Sequence, residues 1–184
     1  RGTRTLDERN DYIARRASQL GISFELNDGG RDQLIALGAS SILIGVLEDQ
    51  TKSNRIYRAR ELYQKAKACG AQDYDCQINY STKAIEIRPT AADVRFYRAV
   101  AYNRKGENKK CLEDINVAID SAPSRTEYWE WRAAIMHILG MHDGAVLNYS
   151  ELISRMPSES KYYESRGNEF LELALFPKAL EDFK

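Results

Sequence analysis

Pro89, Pro123 and Pro157 are spaced 34 residues apart. A step held this way marks a chain assembled from copies of one supersecondary unit, so it constrains the fold more than any single element does. Other residues keep the step. Ala99 and Ala133 lie ten past a proline, with Gly167 continuing the series; Gly106 and Gly140 lie 17 past; Tyr149 and Phe183 lie 26 past; Ala84 and Ala118 precede their prolines by five.

Each copy reads as two helices. Between Ala92 and Lys105, the residues Phe96, Ala99, Val100 and Tyr102 recur at helical spacing, and Gly106 supplies a stop where a positive φ is available. Leu112, Ile115, Ala118 and Ile119 have the same spacing before Pro123 ends the run. A short turn makes the two helices antiparallel. A pair of this size cannot bury its own apolar face, so copies must stack. Pro177 is expected to open a second helix in the fourth copy, where its missing N–H costs nothing.

These residues resemble the tetratricopeptide repeat, whose pattern has aromatics at positions 4, 11 and 24, small residues at 8 and 20, Gly at 15, Ala at 27 and Pro at 32. Residues 92–125 match with Ala99, Tyr102, Gly106, Ala118 and Pro123, and Cys111 serves as the small residue at position 20. Residues 126–159 match with Trp129, Ala133, Gly140, Ala145, Tyr149 and Pro157. Residues 160–184 supply Tyr163, Gly167, Phe170, Ala179 and Phe183 and stop within the second helix. The first copy, 57–91, departs from the pattern: Tyr74, Ile78, Ala84 and Pro89 are in register, but Gln77 takes a small position. Leu62 and Ala66 fit only with one extra residue near Cys69-Gly70-Ala71, which predicts a longer first turn. The resemblance implies an all-α fold, a right-handed superhelix of helix-turn-helix pairs whose first helices line a concave groove. It also implies that Tyr74, Tyr102, Trp129, Tyr149, Tyr163, Phe170 and Phe183 are core.

Residues 1–50 have their own organisation and are expected to form a small helical module. A helix from Asp7 to Leu20 stops at Gly21, a second capped by Asn27 or Asp28 runs through Leu34 and Leu37 to Gly38, and a third starts at Ser40 or Ser41 and runs through Ile44 and Leu47. Ile22–Leu26 reads as extended packing. Gly21, Ile22, Phe24, Leu26, Leu34, Leu37-Gly38-Ala39 and Leu43-Ile44 resemble a short helical module that adjoins repeats in many bacterial multidomain proteins, which implies a bacterial, cytoplasmic setting and a larger parent chain. Residues 51–56, polar apart from Ile56, are expected to be a linker into a repeat domain at 57–184, the last repeat being cut short.

The sequence contains no catalytic constellation, and no enzyme activity or cofactor is expected. His137 and His142 are five apart across an interhelical turn, not the three or four that put two ligands on one helix face, so no metal is expected. Cys69, Cys76 and Cys111 lack metal-ligand spacing and are read as buried or half-exposed thiols. Lys+Arg and Asp+Glu number 27 each, and this zero net charge argues against a dedicated nucleic-acid binder, so no nucleic-acid partner is expected. The longest apolar run, Ile42–Leu47, is far below the ~20 residues that span a bilayer.

The resemblance also implies a set of groove residues. The family's positions 2, 5, 9 and 12 fall on Asp93, Phe96, Val100 and Asn103, then on Glu127, Glu130, Ala134 and His137, then on Lys161, Glu164, Asn168 and Leu171. Tyr97 and Trp131, at position 6, and Phe96 flank this face and either anchor a partner's apolar side chain or pack between repeats. Chaperone-binding members grip a C-terminal carboxylate with Lys and Asn at positions 5 and 9. Here those positions hold Phe96/Val100, Glu130/Ala134 and Glu164/Asn168, so no such clamp is expected, and an acidic groove is expected to select a basic or mixed apolar segment. The reading is a protein–protein interaction module, a scaffold or adaptor. The alternative is a regulatory or oligomerising segment of a multidomain enzyme, self-associating through the unfinished fourth repeat.

Overall fold

The computed structural model describes Tyr12, Ile13, Arg15, Arg16, residues 28–36 and residues 38–184. Among them every regular element is helical: α1 (Asp28–Ala36), α2 (Ser41–Ala68), α3 (Tyr74–Ile87), α4 (Ala92–Arg104), α5 (Asn108–Ser121), α6 (Thr126–Ile138), α7 (His142–Arg155), α8 (Ser160–Glu172) and α9 (Phe176–Asp182). The chain divides into two units, Arg1–Arg58 and Ala59–Lys184.

In the first unit Ile13, Leu34 and Ile44 are buried. Gly38 (φ 79°) stops α1, its N–H donating to the Ile35 carbonyl while the Ala39 N–H reaches the Leu34 carbonyl, each at 2.9 Å. The Ser40 hydroxyl accepts from the Leu43 N–H at 3.2 Å and so caps α2. Gly21, Ile22, Phe24, Leu26 and Leu37, on which the N-terminal resemblance leaned, lie outside the described residues. Residues 51–56, expected as a linker, are helical. They contain no Gly or Pro to stop α2, and polar side chains alone do not end a helix whose outer face is solvated.

The second unit is an all-α solenoid in which α4 pairs with α5, α6 with α7 and α8 with α9, preceded by the C-terminal part of α2 and by α3, which packs on α4. Ala99 and Ala133 at position 8, Cys111 and Ala145 at position 20, and Ala118 at position 27 are wholly buried. A larger side chain at any of them would push neighbouring helices apart. Burial beside Asp114 pushes the Cys111 thiol up to about 12, which makes it an inert packing residue. Pro177 stands in the first turn of α9.

The turns within pairs repeat as well. Gly106 (φ 77°), Gly140 (φ 70°) and Ala174 (φ 56°) occupy equivalent left-handed positions. The first turn is longer, five residues from Cys69 to Asp73 instead of three, but not through the extra residue expected there: the buried Ala66 stands 18 residues before Ala84 where Ala99 stands 19 before Ala118, and the turn lengthens because α2 already ends at Ala68. Asp73 caps α3 by accepting from the Cys76 N–H at 3.1 Å, and the buried Gln77 amide donates to the Gly70 carbonyl at 2.9 Å. Cys69 and Cys76 are joined in a disulfide across this turn, where the sequence reading had free thiols. The five-residue turn sets the end of α2 against the start of α3, which a separation of seven residues does not reveal.

Arg98, Arg132 and Arg166 form a ladder at the 34-residue step. Each reaches a partner 16 residues ahead and another 16 residues behind. Arg98 donates to Asp114 through Nε and Nη2, both at 2.7 Å, and to the Thr82 hydroxyl at 2.9 Å. Arg132 donates to Asn148 at 2.8 Å and Asn116 at 3.1 Å. Arg166 donates to Asp182 at 2.8 and 2.6 Å and to the Ser150 hydroxyl at 3.0 Å. Each guanidinium thus ties together the second helices of two successive pairs. Burial opposes the charge of Arg98, but the hydrogen bonds and the field of Asp114 outweigh it and raise its pKa. At Arg132 both partners are amides, and desolvation lowers the pKa.

Candidate functional site

Helices α4, α6, α7 and α8 enclose an open cavity of about 430 Å³. Asn103, Glu130, Trp131, Ala134 and Lys161, all expected at the groove, line it together, with Ile138 adding apolar surface. Ile138 is 57% exposed and Ala134 is exposed, so the cavity presents apolar surface to solvent. The helical spacing of Glu130, Ala134 and Ile138 places them on one face of α6.

Some of the charges around this face are paired within the chain. Glu130 accepts from Lys161 Nζ at 3.0 Å and from the Tyr162 hydroxyl. Asp93 accepts from Arg125 and from the Tyr128 hydroxyl, each at 2.9 Å. Two of the carboxylates expected to make the groove acidic are therefore already partnered. Glu127, Glu164 and Asn168 are exposed, and Val100 is half-buried. Glu164 and Asn168 line a separate cavity with Tyr163 and Phe183.

The flanking aromatics divide. Phe96 lies 4.7 Å from the Tyr128 ring and edge-on to Trp131 at 5.6 Å, so it supports Trp131 from behind. Tyr97 donates to the Ala66 carbonyl at 3.3 Å and meets Tyr63 edge-on, which makes it a packing residue between pairs. Trp131 keeps part of its surface on the cavity.

Several aromatics depart from the core expectation. Trp129 is half-buried, its indole N–H donating to the Pro123 carbonyl at 3.0 Å and its ring covered by the guanidinium groups of Arg132 and Arg155. Phe183 is 47% exposed and rests on Gly167, where an added methyl would strike the ring. The tyrosines between pairs are instead Tyr128 and Tyr162 at position 3, 1% and 2% exposed. One residue of helix is about 100° of rotation, enough to move the buried side chain from position 4 to position 3.

His137 lies in the last turn of α6, His142 begins α7, and Glu169 lies on α8. His137 Nδ1 is 2.9 Å from Glu169 Oε1, and His142 Nδ1 is 2.8 Å from Oε2. The rings stand edge-to-face at 5.6 Å. The α6–α7 turn folds the second ring back beside the first, so residues five apart meet without sharing a helix face. Glu169, at position 10, carried no signal in the sequence.

The stacked pairs, their left-handed turns and the small buried positions define the class: residues 59–184 have the fold of a tetratricopeptide repeat domain. The chain is similar to human tetratricopeptide repeat protein 13, 28% identical over 120 residues, which is 62% of this chain and 14% of that protein. Among solved structures it resembles the first such domain of Spaghetti (RPAP3) bound to an HSP90 peptide, with a TM-score of 0.58 and 24% identity over 64% of this chain and 94% of that one. It also resembles MamA, with a TM-score of 0.62 and 19% identity over 84% of this chain and 85% of that one. No family model matches the chain.

Proposed function

We propose that residues 59–184 act as a non-catalytic protein–protein interaction module that takes a peptide or partner segment along the face of α4, α6 and α8. The observation that carries this reading is the cavity at Trp131, where exposed apolar surface is set among charges that already have partners. A segment of mixed apolar character fits it better than a strongly basic one, because Glu130 is held by Lys161 and Tyr162. The HSP90 peptide of the Spaghetti complex belongs to that protein. The clamp positions of this chain hold Phe96, Val100, Glu130, Ala134, Glu164 and Asn168, which argues for a different ligand.

Peptides selected from a random library against the immobilised chain test the reading. Trp131→Ala is expected to weaken a selected peptide about 30-fold, as a central aromatic anchor worth about 2 kcal/mol would, with the helical circular dichroism unchanged. Unaltered affinity, or lost helicity, would remove Trp131 from the binding site.

Self-association is the second reading. It draws support from α9, where Phe176 and Leu180 are 63% and 60% exposed. A concentration-dependent dimer in light scattering would favour it over peptide binding.

The cytoplasmic setting suggested by the sequence meets a counter-argument in the Cys69–Cys76 bridge, because disulfides persist in oxidising compartments. No helix among the described residues is long and apolar enough to cross a membrane. Alkylation of the chain as it leaves its own cell is expected to label Cys111 alone, and only after denaturation. Labelling of all three cysteines would return the protein to a reducing compartment.

A further inference from the structure

The sequence and the fold leave one cluster unused. His137, His142 and Glu169 come from three helices, and their ligand atoms all lie within 4.8 Å of one another. The set, two imidazole nitrogens and one carboxylate oxygen, is that of first-row divalent ions, not of calcium or magnesium, which take oxygen almost exclusively. The Glu169 side chain is 4% exposed, and it turns one oxygen to each imidazole nitrogen, so the two histidines meet it at the edge of the core.

We propose that His137, His142 and Glu169 bind a divalent transition-metal ion of the zinc class. Ligand atoms around tetrahedral zinc stand about 3.4 Å apart, so the present 2.8 and 2.9 Å separations must open by about half an ångström. His137 is 49% exposed and sits at the last turn of α6, so rotation of its ring meets little resistance. The carboxylate is held on the buried side and the solvent lies on the other, which leaves the fourth position to water or to a side chain of a bound partner. The ion would join the α6–α7 turn to α8 and so couple the third repeat to the fourth.

The full chain, free of any histidine tag, kept oxidised and stripped with a chelator, is titrated with Zn²⁺ against a chromophoric competitor and with Co²⁺ followed by visible absorption. The expected result is one ion per chain, four-coordinate cobalt bands, and affinity lowered at least about tenfold in both His137→Asn and His142→Asn. Absence of binding at about 100 µM Zn²⁺, or equal binding by the wild type and His137→Asn, would overturn the proposal and leave a purely hydrogen-bonded triad. Should a variant lose its helical spectrum, the histidine ring NMR signals of the wild type decide: shifts of two rings at one equivalent of Zn²⁺ support the site, and unmoved rings sink it. Peptide binding plays no part in either readout, so the metal site and the interaction face stand or fall separately.

Discussion

Asp114→Ala is expected to destabilise the repeat domain by about 3–5 kcal/mol, measured as a lowered urea midpoint. The carboxylate is 2% exposed and accepts from Arg95 at 2.9 Å as well as from Arg98. Its removal leaves two guanidinium groups, 19% and 13% exposed, without their anion. An unpaired buried charge costs more than the pair contributed, because each partner was desolvated on folding. It follows that the double replacement Arg98→Met with Asp114→Leu loses less than Asp114→Ala alone, since it removes both members of the strongest pair. A loss below about 1 kcal/mol for the single variant would mean that water already reaches the ladder and that its regularity is decorative.

Tyr128→Ala is expected to cost a similar amount, about 3–5 kcal/mol, by opening a ring-sized cavity between successive pairs. The side chain is 1% exposed, packs on Phe96 and holds Asp93 through its hydroxyl. Stability in stacked repeats is the sum of each unit and its interfaces, so this variant is also expected to split one unfolding transition into two. Tyr128→Phe keeps the ring and loses about 1 kcal/mol, the worth of one hydrogen bond. A single unchanged transition in Tyr128→Ala would show that the interface rests elsewhere.

The two variants differ in how far their sites could be read in advance. Ala99, Ala118, Ala133 and Cys111 were legible because a small residue at a fixed step has one explanation, close helix approach, and all four are wholly buried. Gly106 and Gly140 were legible for a different reason, a glycine stop after a helical run, and each has a positive φ. Arg98, Arg132 and Arg166 keep that step equally well, yet a charged residue on a helix reads by default as a solvated face. Nothing local says that its partner lies 16 residues away on another helix. Trp129 was assigned to the core from its consensus position, whereas Tyr128 took the interface, a difference of one residue's rotation about the helix axis.

Of the proposed interaction face, the members Asn103, Glu130, Trp131, Ala134 and Lys161 could be named from their positions in the repeat. Their charge state could not, since the pairing of Glu130 with Lys161 and Tyr162 spans about one full repeat, from α6 to α8.

What the sequence by itself determined is the period, the all-α class, the turns and the small contact positions, all of which depend on spacing along one chain. What only the tertiary structure decided is which distant groups meet: Arg98 with Asp114, His137 and His142 with Glu169, Cys69 with Cys76. Helical periodicity sets which way a side chain points. The rotation and rise from one pair to the next set what it finds there, and those come from packing the whole stack.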